Sequence, residues 1–298
     1  MIRTSDLPQL RAAYSDRTAA LMASLAELAY DYPPAGSAPG AAPAPPRLAE
    51  LGFHDVTYFH NGLVDGWAFL AESADLIAVA FRGTASVANW ETNLHAAMVH
   101  PDATDPNLRV HEGFFAAFNK LYDGESGLRA RLLQAAARGQ ERKPIYVTGH
   151  SLGGALAQIA TAVLGTDEFA ACYTFGSPRV GNAYFDLWVK PPSYRVMDYA
   201  DIVPQVPLPV PLVYPYRHSG DARYLPDRPE GSPYRYEPGL LVRLGQLVIG
   251  LVQFFGSWQI LGIKDHSVGM YAAKLARIAE ARTQSRPPLG GARAGFAP

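Results

Sequence analysis

Ser151 stands in Gly149-His-Ser-Leu-Gly153. The residues before it, Ile145-Tyr-Val-Thr148, have the β-branched and aromatic character of a buried strand. The residues after it, Gly154-Ala-Leu-Ala-Gln-Ile-Ala-Thr-Ala-Val-Leu164, read as a helix. A strand, a sharp turn and a helix around a serine make a nucleophile elbow. The turn is too tight for large flanking side chains, a demand that Gly149 and Gly153 meet. The hydroxyl is then presented at the carboxyl end of a sheet, close to a helix N-terminus that favours developing negative charge. A serine so placed needs a general base, and the base needs an acid to orient it.

Behind an elbow serine, the acid and then the histidine follow along the chain. Only His218 and His266 come after Ser151; His54, His60, His95, His100, His111 and His150 precede it. His266 lies in Lys-Asp-His-Ser-Val-Gly-Met-Tyr271, a loop entering the last helix, and is the choice for the base. His218, before Ser219-Gly220 and a short strand, reads as a turn or wall residue. For the acid, Tyr194-Arg-Val-Met-Asp-Tyr-Ala-Asp201 offers Asp198 and Asp201. Asp198 falls inside a strand and reads as structural, whereas Asp201 falls where the strand ends and prolines begin. Asp265 adjoins His266, but adjacent side chains rarely orient one another's rings, so Asp201 is the better acid.

These groups need a scaffold, and the pattern of the chain supplies one. Strands are expected at Val56–His60, Trp67–Glu72, Leu76–Phe81, Ile145–Thr148, Ala171–Phe175, Tyr194–Tyr199 and Ala222–Leu225. Helices are expected near the N-terminus through Leu21, Met22, Leu25 and Leu28, over 112–137 with a break near Gly124, and over Leu152–Leu164, Ala183–Val189 and Lys274–Ala281. Buried strands alternating with helices predict an α/β fold: a mostly parallel central sheet with helices on both faces, in a single domain over 1–298. Residues 33–46, PPAGSAPGAAPAPP, read as a flexible insert and 284–298 as a flexible tail. The 26 Lys and Arg nearly balance the 27 Asp and Glu, so there is no basic footprint for nucleic acid. A single Cys excludes an intramolecular disulfide framework and a Cys-based zinc site. No metal or organic cofactor is implied, because no His, Cys and carboxylate cluster has ligand spacing.

Several motifs in order resemble the class 3 lipase family, the fungal-type triacylglycerol lipases. They are Phe81-Arg-Gly-Thr84, Val110-His-Glu-Gly-Phe114, Gly149-His-Ser-Leu-Gly-Gly154, Phe175-Gly-Ser-Pro-Arg-Val-Gly-Asn182, Asp201-Ile-Val-Pro204 and the His266 to Tyr271 loop. The resemblance covers roughly residues 17–281 and implies an α/β-hydrolase fold. It implies a triad of Ser151, Asp201 and His266, the set also reached from chain order. It places Thr84 in the oxyanion hole beside the backbone N–H of Leu152. The family often has Asn where this chain has Asp198, so an acidic group there alters the local charge. The 65 residues from Asp201 to His266 exceed what the resemblance leads one to expect.

Between 86 and 98, Val87, Trp90, Leu94 and Met98 recur on one face of an amphipathic helix, opposite Asn89, Glu91 and His95. By the resemblance this is a lid, and Trp90 and Leu94 become candidate substrate contacts. A proline-stiffened apolar loop follows Asp201, and its Val203 and Leu208 are candidates for an acyl wall. Residues 239–263 form an apolar helical insertion with a narrow polar stripe of Arg243, Gln246, Gly250, Gln253 and Ser257. A bilayer span there would separate Asp201 from His266, so a cap, a lipid-interface contact or an oligomer contact is the better reading. The N-terminal periodicity favours a helix over a signal peptide, and a cytoplasmic or membrane-associated setting is expected. The activity implied is hydrolysis of acylglycerols or other lipid esters through an acyl-enzyme on Ser151. The alternatives are a phospholipase A1, an esterase of soluble or aryl esters, or a catalytically inactive lipase-like protein bound to membrane.

Overall fold

A computed structural model describes residues 1–7, 13–31, 40–61, 66–83, 97–102, 104–122, 127–136, 143–164, 169–198, 201–209, 213–225 and 266–284. Its strands, numbered along the chain, are β1 (Gly40–Pro43), β2 (Phe53–Asn61), β3 (Gly66–Ser73), β4 (Ile77–Phe81), β5 (Met98–Val99), β6 (Val110–His111), β7 (Ile145–His150), β8 (Phe169–Phe175), β9 (Ser193–Asp198) and β10 (Asp221–Leu225). Eight of them form one sheet in the order β1-β2-β3-β4-β7-β8-β9-β10, while β5 and β6 pair separately. From β1 to β4 the pairing is antiparallel; from β4 through β7, β8 and β9 to β10 it is parallel.

Helices cover both faces. Helix α1 (Asp16–Asp31) and the last helix, α7 (Val268–Gln284), lie on one face over Ala78, Ala80, Tyr146, Tyr173, Phe175 and Val196. Helices α3 (Glu112–Tyr122), α4 (Leu128–Ala136) and α5 (Leu152–Leu164) cover the other, over Ile77, Val79, Phe81, Ile145, Val147 and Cys172. Odd and even positions of β4 therefore go to opposite cores, and both cores are apolar. This is why Ile77–Phe81 reads as an unbroken apolar run rather than as an alternation. Burying each large side chain of that kind contributes about 1.5–3 kcal/mol. Short helices α2 (Pro46–Glu50) and α6 (Ala183–Trp188) complete the described α-helices, and single 3-10 turns lie at Thr4–Asp6 and Val203–Gln205.

Three expectations change in detail. The flexible insert of 33–46 is corrected for 40–46: Gly40–Pro43 pairs antiparallel with Asp55–Tyr58, and Pro46 opens α2. An edge strand tolerates Pro43 because one side of it needs no ladder donor, and a proline at the first helical position loses only an N–H that has no partner there. The helix over 112–137 is broken near Gly124 as expected, α3 ending at Tyr122 and α4 starting at Leu128 after Gly127, whose φ is 72°. The last helix starts at Val268 rather than Lys274, because Tyr271, Ala272 and Leu275 pack into the α1-side core and override the weak propensity of Val268 and Gly269. Met98, counted in the amphipathic helix of 86–98, belongs instead to β5, opposite His111. The rest of that helix, residues 86–96, lies outside the described residues, as do the 239–263 insertion and residues 285–298 of the tail.

Candidate active site

Strand β7 runs two residues further than the sequence pattern indicated, with Gly149 opposite Phe81 on one side and Thr174 on the other. Ser151 then takes φ 60°, alone among the described non-glycine residues in the left-handed region. That conformation costs roughly 1–2 kcal/mol and persists only where neighbours over-determine it. Here the Ser151 amide donates to the Phe175 carbonyl at 3.0 Å, and the Ser151 carbonyl accepts from Gly154 N at 2.9 Å. A Cβ on Gly149 would run into the Gly153 carbonyl, and one on Gly153 into the Phe81 carbonyl. The glycines thus allow strand, turn and helix to close on one another. Leu152 is the first residue of α5, so its amide lies where helix geometry provides no intrahelical acceptor.

Asp201 lies just beyond β9, and its side chain is fully buried. A buried carboxylate must be paired and hydrogen-bonded. His266 Nδ1 lies 2.8 Å from Asp201 Oδ2, Tyr271 Oη donates to the same oxygen at 2.6 Å, and Val203 N donates to Oδ1 at 2.9 Å. Behind the pair is Gly176, with φ 56°. A Cβ there would come to 2.6 Å from Asp201 Oδ2 and 3.0 Å from His266 Nδ1. Phe175 therefore holds the Ser151 amide, and the next residue backs the Asp201–His266 pair. The carboxyl end of β8 thus serves both the elbow backbone and the Asp201–His266 pair.

Tyr271 reaches that carboxylate because it is five residues into the segment that begins at His266, within the first turn of α7. Its phenol also accepts from Asp198 N at 2.8 Å. Burial, followed by the Asp201 charge, pushes its pKa well above the usual tyrosine value, so it stays a donor. The sequence identified Tyr271 only as part of a motif, and this contact depends on α7 docking beside the β9 end. Asp198 forms a buried ion pair with Lys274, which answers the charge that Asn would not carry. His218 lies apart from this group, beside Arg195, Arg179 and the Pro204 carbonyl. Its pKa is pushed well below the usual value, first by burial and then by those guanidinium groups. Arg179 was not singled out from the sequence. It donates to the carbonyls of Gln205 and Pro207 and braces the loop after Asp201. In that loop Val203 is buried and Leu208 half-buried. Thr84, Trp90 and Leu94 lie outside the described residues.

Residues 78–210, from β4 through the loop after Asp201, match the family model described as Lipase (class 3). A secreted mono- and diacylglycerol lipase of Fusarium solani is 36% identical over 165 residues, which is 53% of this chain and 46% of the relative. A chloroplastic/mitochondrial phospholipase A1 (EG1) of Oryza sativa subsp. indica is 31% identical over 175 residues, covering 48% of this chain and 40% of the relative. The chain thus spans less than half the length of these curated relatives. Among solved structures, a Rhizomucor miehei lipase in complex with its propeptide has a TM-score of 0.58 and 26% identity, with 72% of this chain and 70% of that one covered. The fold is that of an α/β-hydrolase, and the segment from β4 through the loop after Asp201 is similar to the class 3 lipases.

Proposed function

We propose that this protein is a serine carboxylester hydrolase whose substrates are acyl esters of glycerolipids. The observation that carries the reading is the 2.8 Å contact between His266 Nδ1 and buried Asp201, backed by Gly176 next to the residue that holds Ser151. In this reading Asp201 keeps the His266 proton on Nδ1, which leaves Nε2 as the base. As Ser151 Oγ attacks the ester carbonyl, its proton passes to Nε2, and the carbonyl oxygen becomes an oxyanion. The Leu152 amide and Thr84 donate to that oxyanion; a single donor of this kind contributes about 100- to 1000-fold in rate. The tetrahedral adduct then expels the alcohol, which takes the proton from His266 and leaves an acyl-enzyme on Ser151. Water, deprotonated by His266, releases the fatty acid by the same steps.

The Fusarium relative is named for mono- and diacylglycerols and the rice relative for phospholipids. The feature common to both is a fatty acyl ester on glycerol. The test is labelling with a fluorophosphonate, followed by a panel of glycerides, phospholipids and soluble aryl esters of increasing chain length. Labelling that disappears in Ser151→Ala, with hydrolysis of glycerolipids above their solubility limit, is the expected result. Folded protein that neither labels nor hydrolyses any ester would overturn the reading in favour of an inactive lipid-binding protein.

A further inference from the structure

Strand β7 ends on His150, the residue before Ser151, and the proposed reaction leaves this histidine without a role. Its side chain is buried, with 4% of the residue exposed. The ring lies 4.4 Å from the His266 ring, centroid to centroid, at a tilt of 37°. On its other side, Tyr30 near the end of α1 brings its hydroxyl 2.9 Å from His150 Nδ1. The same hydroxyl fills the space that a Cβ on Gly83 would occupy, and that Cβ would also come to 3.2 Å from Ser151 Cβ. Tyr30, Gly83, His150 and Ser151 are therefore packed as one unit between α1, the end of β4 and the elbow.

The chemistry of the contact sets the protonation of the ring. Burial raises the Tyr30 pKa far above the usual phenol value, so the phenol keeps its proton and donates it. His150 Nδ1 is then the acceptor, and the proton of the neutral ring sits on Nε2. Burial, followed by the neighbouring His266, also holds the His150 pKa well below the usual histidine value. We propose that Tyr30 and His150 position the base: Tyr30 locks His150 in one neutral tautomer, and His150 presents a planar, uncharged face against which the His266 ring rests. This inference rests on the reading of His266 as the general base.

Neutrality matters because His266 becomes a cation in every turnover. A second positive charge at that separation would disfavour the imidazolium by about 500-fold at an effective dielectric near 20. A neutral aromatic face at the same place attracts the cation instead. Among the described residues, Asp201 from the loop after β9 meets His266 Nδ1, and Tyr271 from α7 donates to the same Asp201 oxygen while its ring lies against His150, with the Asp198–Lys274 pair beyond it. Arg82, after β4, acts through its charge on the Tyr30 phenol.

The experiment uses the full chain and a soluble p-nitrophenyl ester, with kcat, KM and thermal unfolding measured for wild type, Tyr30→Phe, His150→Ala and His150→Phe. Removing the ring should lower kcat by about 10- to 100-fold with KM unchanged, since loss of orientation acts on the chemical step. His150→Phe restores a neutral planar face and should recover most of that loss. Tyr30→Phe should lower kcat by about three- to tenfold, the scale of one buried hydrogen bond. In wild type, log kcat/KM should fall with unit slope on the acid side, because burial keeps His150 neutral and it adds no second protonation. Wild-type kcat in a folded His150→Ala, no recovery in His150→Phe, or an acid slope of two would each overturn the proposal. If His150→Ala does not fold, His150→Phe and Tyr30→Phe decide it: kcat near wild type in the first and lowered in the second supports it. A wild type that hydrolyses no ester is a different failure, that of the hydrolase reading itself.

Discussion

The two ends of the parallel strands are built on opposite principles. At the amino end, Glu72 of β3 lies opposite Ile77, where Lys143 binds its Oε1 at 2.9 Å and Arg131 approaches Oε2 at 3.8 Å. Lys143 also donates to the Ser73 carbonyl. There an acid is met by two cations. At the carboxyl end, a serine sits in the left-handed region and a buried carboxylate is met by a phenol and an imidazole. Three buried or half-buried histidines there, His111, His150 and His218, are all held below their usual pKa, chiefly by burial. One end spends its polar groups on cohesion, whereas the other keeps them neutral, strained or incompletely neutralised, as proton chemistry requires.

Substitutions at the two ends should therefore separate cleanly in rate and stability. The largest effect is expected for Ser151→Ala, about a 10⁶-fold loss of kcat with folding intact, read by ester hydrolysis and unfolding in parallel. Asp201→Asn should follow, at about 10⁴-fold in kcat, because the amide favours the wrong His266 tautomer. A third test is pH. His111 has a folded pKa of about 4 against the usual 6.5, so the unfolded chain binds the extra proton as pH falls through this range. Its contribution is complete above pH 6.5 and is lost toward pH 4, by about 3 kcal/mol. Denaturant titrations across that window should show a shallower loss in His111→Asn, which still offers an acceptor to the amides of Gly113 and Phe114. His150 and His218 act in the same direction, so some slope should remain.

Tyr271→Phe should lower stability by about 1–2 kcal/mol and reduce kcat by about tenfold, since one donor to a buried carboxylate is removed. Calorimetry and steady-state rates on the same preparation would measure both. The smallest effect belongs to the amino end: Glu72→Gln should cost about 1 kcal/mol and leave kcat and KM unchanged, given that Lys143 remains partly solvated. A change of rate in Glu72→Gln would break the division between the two ends.

What could be read from the sequence follows the same division between local and distant causes. The elbow was legible because six consecutive positions, flanked by a strand and a helix, carry its steric demands. Asp201 and His266 were legible through chain order and their places at element ends. The Tyr30–His150 contact spans 120 residues and exists only because α1 packs beneath β7, where Thr148 Oγ1 donates to the Met22 carbonyl. No periodicity in α1 distinguishes Tyr30 from an ordinary core residue. Strand β1 was missed for a related reason. Its Gly, Ala and Pro carry no strand propensity, and β2 supplies the pairing. In α7, packing on α1 extended the helix past a glycine that local propensity would exclude.

The packing of α1 against α7 also bears on when the protein becomes competent. Arg282 near the end of α7 pairs with Asp16 at the start of α1, at 2.6 Å. The loop that enters α7 carries His266, and its first turn carries Tyr271. A ribosome-bound chain that has already formed β4, β7 and the elbow still lacks the base and half of the grip on Asp201. The apolar stripe of its α1 also still waits for Leu275 and Ile278. In the proposed reading, ester cleavage should therefore switch on only once the segment carrying His266 and Tyr271 has docked on α1.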